Sequence, residues 1–548
     1  MQKERAHLDK ASLLSTVKRE FAKIPDPKRT ESKYSISNCM MNVCAIFGLK
    51  YPSLLRYNDE VSEPIIEHNI KSLYQVTAIP SDTHLRARLD DIDPKPLQNA
   101  LDALITPLQR GKILTNYLFL GEYYLVSLDG TGYFSSDSVH CVNCCVKHSK
   151  AKCDFEIRFS KNHSNYVHQL ISWKSECLGK AKDRILLLYS PAEDSYKSAG
   201  VWELHVYDAD NAEYGSPQIP GEIKSEVLAL LAKINSAKVT TEIKNQIEIL
   251  FIENQTLFDG KDISGKKSYY HQLLSTVLVH PDHKQVFPLA IEPISKQDGA
   301  SKNDCERNAA IRLLRTLKTS HPHLRLVIVL DALYANGPLI KLLTELNFRY
   351  IITAKNTEYL YDAHLVNPDK KIYTTESSQL IETYTYSAQL PLNITHKELK
   401  VNLLEYKSVA SKKNGDKLRY YSSWLTDLPL AKNNLQRIMR GARARWKIEN
   451  EVHNTLKNQG YNFEHNYGHG NNNLSTVFAY GMFITFLIDQ IQDATGYYFK
   501  QIKDYWKRIS YVWDKIRIQF FSVELDNWEQ LFLNIIKRFK PEKMVNTT

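Results

Sequence analysis

The sequence predicts an α/β chain: a core with a mixed β-sheet, a helical N-terminal region, a β-rich insertion and a second α/β insertion. Three observations predict it. Apolar runs of strand length stand at residues 123–128 and 326–330, each followed by an aspartate. Between and beyond them, strand-like and helix-like stretches alternate in the order β-β-β-α-β-α-β. Before them, apolar residues recur at helical spacing for more than a hundred positions.

The elements follow in chain order. Leu13, Leu14, Val17 and Phe21, then Leu97, Ala100, Leu101, Leu104 and Ile105, mark helical faces. Ser81 after Pro80 is a helix start for the run Leu85 to Leu89. Residues 1–118 therefore read as a helical region able to bind DNA or to cover the core, without a clear helix-turn-helix. Residues 120–131 form the first strand. Residues 269–280 and 285–294 form the next two, with Pro281-Asp282 turning between them. An amphipathic helix over 304–318 places Ala310, Leu313, Leu314 and Leu317 on one face. The wholly apolar run 326–330 is a central strand. Gly337-Pro338 opens a helix, with proline in its first turn, and 348–354 is a further strand. This order is that of an RNase H-like core, in which the first and fourth strands are neighbours. That topology brings Asp129 and Asp331 together across 331 − 129 = 202 positions.

The core is assigned to 119–153 with 263–355, and to 429–490. Residues 356–428 alternate with period two, as in Thr383-Tyr384-Thr385-Tyr386, and read as the β-rich insertion. Residues 154–262 hold strand-like runs at 184–189 and 202–207 and a helical run at 221–234. They read as a small inserted α/β segment with no assigned role. Residues 491–548 form a helical C-terminal region, with Trp506, Trp513, Lys515 and Arg517 mixing aromatic and basic character.

Chemistry concentrates on Asp129, Asp331 and Glu449. The first two end apolar strands. Glu449 lies in Arg443-Ala444-Arg445-Trp446-Lys447-Ile448-Glu449-Asn450-Glu451, inside a stretch (432–457) with seven Lys/Arg and two acids. Arg445 and His453 lie one helical turn to either side of Glu449, so the three share a face. Three such carboxylates could hold two divalent ions about 4 Å apart over a phosphodiester, and Arg445 could grip a phosphate bidentately. Other readings stand beside these. Aspartates at strand ends commonly serve turns, and a basic helix with a Glu–Arg pair is commonly a solvated face.

Three ordered blocks resemble the DDE transposases of bacterial insertion sequences: Leu128-Asp129-Gly130-Thr131-Gly132-Tyr133-Phe134, Leu330-Asp331-Ala332-Leu333-Tyr334-Ala335-Asn336-Gly337, and Arg445-Trp446-Lys447-Ile448-Glu449-Asn450-Glu451 with Asn454 to Asn462. The resemblance implies an RNase H-like catalytic domain with a β-rich insertion before the glutamate. It implies Mg²⁺ or Mn²⁺, two ions, on Asp129, Asp331 and Glu449. Arg445 and Lys457 would contact phosphate. Two departures accompany it: Ala442 replaces a tyrosine expected three residues before Arg445, and Lys457 lies one residue further from Glu449 than usual. The implied activity is DNA cleavage and strand transfer on terminal inverted repeats and target DNA, by a homodimer on double-stranded DNA in the bacterial cytoplasm, at the nucleoid. The alternatives are a nuclease without strand transfer and an inactive DNA-binding relic.

Composition is compatible with this. Of 548 residues, Lys and Arg exceed Asp and Glu by 71 − 61 = 10, which favours a polyanionic partner. No secretory signal is visible, and the apolar stretch 477–488 is too short to span a bilayer and reads as a buried helix. Eight cysteines do not make a disulfide framework, so a reducing compartment is expected. Cys141 and Cys144 have the gap of a zinc knuckle. With His148 and Cys153 they could complete a tetrahedral zinc site, against the alternative of reduced buried thiols. No nucleotide-binding fingerprint occurs, so no nucleotide cofactor is expected. Trp424 could stack on a flipped base or belong to the core.

Overall fold

The computed structural model describes residues 7–27, 33–141, 143–148, 155–163, 166–175, 182–191, 203–208, 267–295, 298, 302–354, 358–377, 380–410 and 417–539. The chain divides into two units, Met1–Cys145 with Tyr270–Thr548, and Val146–Tyr269.

The first unit is built on one sheet. Its core strands are β1 (Tyr123–Ser136), β2 (Lys267–His280), β3 (His283–Ile294), β4 (Leu326–Leu330) and β5 (Arg349–Thr353). β4 is buried along its whole length, as an apolar run between two strands must be. It pairs in parallel with β1 on one side and β5 on the other. The parallel β1–β4 pair is the adjacency that the RNase H-like order requires, and β3 returns antiparallel on β2. The sheet is mixed, as expected.

Two details differ from the sequence reading. β1 runs on to Ser136, so Asp129 lies inside a strand and not at its end. Asp129-Gly130-Thr131-Gly132 has turn-like residues, yet its backbone stays extended. The segment before the glutamate also joins the core sheet. Strands β6 (Lys371–Glu376), β7 (Leu380–Pro391), β8 (Lys400–Ala410) and β9 (Lys417–Thr426) form an antiparallel meander. β9 then pairs with β5, so the order is β6-β7-β8-β9-β5-β4-β1-β2.

Helices cover the sheet. In the N-terminal region α1 (Lys10–Phe21), α2 (Ile36–Gly48), α3 (Leu54–Glu60), α4 (Pro64–Tyr74), α5 (Asp82–Asp90) and α6 (Gln98–Arg110) follow one another. Ser81 caps α5, as its sequence indicates. The α6 side chain Gln98 donates to the Leu289 carbonyl of β3 at 2.7 Å. Helix α7 (Lys302–Ser320) packs on β3 through its apolar face. The Asn336 side chain caps α8 (Gly337–Glu345), with Pro338 in the first turn. Helix α9 (Leu435–Arg443) leads to the glutamate. Helix α10 (Leu474–Thr495) is long and apolar enough to cross a membrane, but most of it is buried. It is the central helix of the unit, against α2 and β3. Helices α11 (Tyr497–Trp506), α12 (Ile509–Ser522) and α13 (Trp528–Phe539) close the chain.

Among the described residues of the second unit, the strands Phe155–His163, Tyr166–Ser175, Lys182–Pro191 and Glu203–Asp208 form an antiparallel meander. The strand expected at 184–189 falls within it, as do residues 203–207 of the one expected at 202–207; residue 202 lies outside the described residues. The helical run foreseen at 221–234 lies outside the described residues.

Candidate active site

Strand register positions the first two acids. The β1–β4 pair runs from Tyr124 opposite Leu326 to Ser127 opposite Val329, a constant offset of 202. Carried two residues further, that register sets Asp331 beside Asp129, on strands about 4.8 Å apart. Asp331 leaves β4 at its carboxyl end, and its carboxylate accepts the Leu333 N–H at 2.9 Å. It thus caps the short turn Ala332–Tyr334 while remaining partly exposed. The turn role and a metal role are compatible, because one oxygen is left over.

Glu449 lies on a single π-helical segment, Ile448–His453. Such wider turns recur at functional sites. Here the turn separates what a regular helix would align. Arg445 pairs with Glu449 at 2.9 Å, but His453 turns inward, is 6% exposed and meets the Ser275 hydroxyl at 3.0 Å. Burial lowers the His453 pKa to about 3, with Lys457 contributing. His453 is a neutral core residue, so the shared face expected for the three residues is not formed.

Arg445 is the hinge of the site. One guanidinium nitrogen donates to Asp129 at 3.0 Å and pairs with Glu449. Its own carbonyl accepts the Ser127 hydroxyl at 3.2 Å, which fastens the glutamate segment to β1. Burial pushes Asp129 up to about 7. The neighbouring Glu449 carboxylate adds to this, against the pull of the Gly130 N–H and of Arg445. The site therefore gathers more negative charge than one partly buried cation neutralises. A set of carboxylate oxygens with that deficit fits a hard divalent cation.

Two more residues adjoin it. A β-carbon on Gly130 would lie 3.8 Å from the Glu306 carboxyl carbon. The buried Tyr334 hydroxyl donates to Glu306 at 3.0 Å. The Tyr334 hydroxyl is pushed far up by burial, then by Glu306, Asp331 and Asp129. Glu306 was not singled out from the sequence, because one acid on an amphipathic helix carries no signal.

The accessory residues divide. Lys457 pairs with Glu464 at 2.7 Å and keeps part of its side chain in solvent. Trp424 is 3% exposed, held in the sheet between Thr353 and Leu404. Its indole belongs to the core, which corrects the expectation that it stacks on a base. Trp446, beside Arg445, is 54% exposed and lies under that guanidinium at 5.2 Å. It is the aromatic that the site offers to solvent. The exposed side chains of Lys432, Arg437, Arg440 and Arg443 continue a basic surface along α9.

Cys141 and Cys144 do come together, but the donors beside them are His271 and His469. The His148 side chain and Cys153, expected to complete the group, lie outside the described residues. The three acids do not form a tight donor cluster of that kind.

Compared with known proteins, residues 251–487 match the family model described as "Transposase DDE domain". The match contains Asp331 and Glu449; Asp129 precedes it, on the far side of the inserted unit. No curated protein matches the chain significantly.

Proposed function

We propose that this chain cuts DNA at the ends of a mobile element and transfers the freed strands to a target, a reading supported by the match of residues 251–487 to the transposase DDE-domain family model. The observation that supports the reading is the parallel register of β1 and β4, which runs to Ser127 opposite Val329, two residues before Asp129 and Asp331, with Arg445 pairing to both Asp129 and Glu449. Asp129, Asp331 and Glu449 would hold Mg²⁺ or Mn²⁺. When bound, two such ions activate an attacking water or 3′-hydroxyl and stabilise the leaving oxygen.

The chain's own residues do the rest. The β1–β4 pair fixes two carboxylates on rigid backbone, which keeps their spacing when DNA arrives. Arg445 pairs with both Asp129 and Glu449 in the free protein. With those carboxylates engaged by metal, the Arg445 guanidinium would be available to a phosphate, for which its forked donors are suited. Lys457 and the basic surface of α9 contact the backbone at positions that carry no sequence information. Trp446 offers a stacking face for an unpaired base at the DNA end. Both ends of an element must be held at once, so the working form is a dimer on DNA.

The test is cleavage of a labelled duplex carrying the sequences that flank the gene, in Mg²⁺ and in EDTA. Metal-dependent nicking at the repeat boundary, followed by joining to a second duplex, is expected. Nicking without joining would reduce the protein to a nuclease, and binding without nicking would make it an inactive DNA-binding relative.

A further inference from the structure

Cys141 and Cys144 follow β1, His271 is on β2, and His469 lies between the glutamate segment and α10. Four donors from three distant stretches meet with all ligand atoms within 4.8 Å of one another. The two sulfurs are 3.9 Å apart. His271 Nε2 is 3.5 Å from the Cys141 sulfur and 3.3 Å from that of Cys144. His469 Nε2 is 3.3 Å from Cys144 and 3.1 Å from His271 Nε2. A tetrahedron with Zn–S of about 2.3 Å and Zn–N of about 2.0–2.1 Å has S···S near about 3.8 Å, S···N near about 3.6 Å and N···N near about 3.3 Å. These five edges agree with those values within a few tenths of an ångström, and the sixth, Cys141 to His469, is within 4.8 Å.

The surroundings are those of a ligand shell. His469 Nδ1 donates to the Gly470 carbonyl at 2.8 Å, which leaves Nε2 with its lone pair facing the other donors. The Cys141 N–H points to the Cys144 sulfur at 3.4 Å. The Phe134 ring lies against His469, and Tyr133 stacks on His271. The loop that carries His469 is held by Asp90 of α5. Its carboxylate accepts the backbone N–H groups of Asn471, Asn472, Asn473 and Leu474 at 2.8–3.0 Å. Cys144, His271 and His469 are buried, and Cys141 is partly exposed.

We propose that Cys141, Cys144, His271 and His469 bind one structural zinc ion in a closed Cys₂His₂ tetrahedron. Soft thiolates with imidazoles in that geometry select zinc, whereas the carboxylate site selects a hard cation. All four positions belong to protein, so no open position remains for catalysis. The metal ties the chain just before the inserted unit to the chain just after it, Cys144 and His271 being 127 positions apart. Through His469 it also ties both to the stretch that follows Glu449.

The experiment is metal analysis of the full-length protein, purified without a metal-affinity tag and desalted. About one zinc per chain is expected, and cobalt replacement should give the visible bands of a tetrahedral site with thiolate-to-metal charge transfer. Cys144→Ser and His469→Asn should lose the metal, while Cys145→Ser and Asp331→Asn retain it. A folded wild-type protein without zinc that takes up no cobalt would overturn the proposal. So would zinc that departs with Asp331→Asn, or cobalt bands without thiolate character. If the ligand variants fail to fold, the wild-type stoichiometry and cobalt spectrum still decide.

Discussion

Asp331 is offset from Asp129 by the same 202 positions that separate every paired residue of their two strands, from Tyr124 and Leu326 to Ser127 and Val329. That register places Asp129 on β1 and Asp331 just past the end of the adjacent strand β4. Asp129→Asn and Asp331→Asn should each reduce metal-dependent DNA cleavage by about a thousand-fold or more. DNA binding in EDTA should change little, as gel-shift titration would show. A cleaving Asp331→Asn protein would remove that residue from the site.

The raised pKa of Asp129 makes stability depend on pH. Its folded value of about 7 lies above its ordinary 3.8. Between those values the folded chain binds more protons than the unfolded one, so this group's contribution falls as pH rises through that window. Asp129→Asn should therefore stabilise the metal-free protein at pH 8, by about 1–3 kcal/mol after allowance for partial exposure. The gain should shrink towards pH 5. Denaturant melts of both proteins in EDTA at the two pH values check this, and an unchanged difference would mean that the carboxyl does not titrate there.

The two tryptophans should separate cleanly. Trp446→Ala removes an exposed ring and should weaken binding to a DNA end with unpaired bases by about 1–3 kcal/mol, with stability nearly unchanged. Trp424→Ala empties a core position and should cost about 3–5 kcal/mol of stability. Fluorescence anisotropy on frayed and blunt duplexes, beside urea melts, distinguishes them. Equal effects of both on binding would contradict the assignment.

Asp489 of α10 is buried between two ammonium groups, Lys50 at 2.7 Å and Lys10 at 3.3 Å, and accepts the Tyr461 hydroxyl at 2.6 Å. Asp489→Asn would leave two buried cations without their counter-ion, at a cost of about 3–5 kcal/mol. A urea midpoint within error of wild type would show that water reaches the group.

Much of this was readable from residue patterns, and the misses have physical causes. The run 326–330 announced a central strand because only a strand buried on both faces is apolar throughout. The continuation of β1 past Asp129 was hidden because glycines and an aspartate resemble a turn, while neighbouring strands keep the backbone extended. The π-helical segment at Ile448–His453 was invisible because one extra residue per turn leaves no compositional trace. It was this segment that turned His453 inward. The cysteine pair advertised itself by spacing, but its histidine partners are 127 and 325 positions from Cys144, beyond the reach of any local motif. The residue pattern leaves Trp424 open between base stacking and the core, and the packing of the sheet around it decides for the core.

Asp90 grips the loop after the glutamate segment, Gln98 bonds to β3, and Lys10 and Lys50 neutralise a charge inside α10. These three ties make the first hundred residues a structural part of the unit that carries the acids, so they cannot be detached as a module. Deletion mapping would then mislead. A fragment starting at β1 would lose three anchors at once, and its failure to bind DNA would report collapse of the scaffold. Recognition by these helices is better sought by reversing single surface charges in the intact chain. Fusions, for the same reason, belong at a chain end or in the separate unit between Val146 and Tyr269.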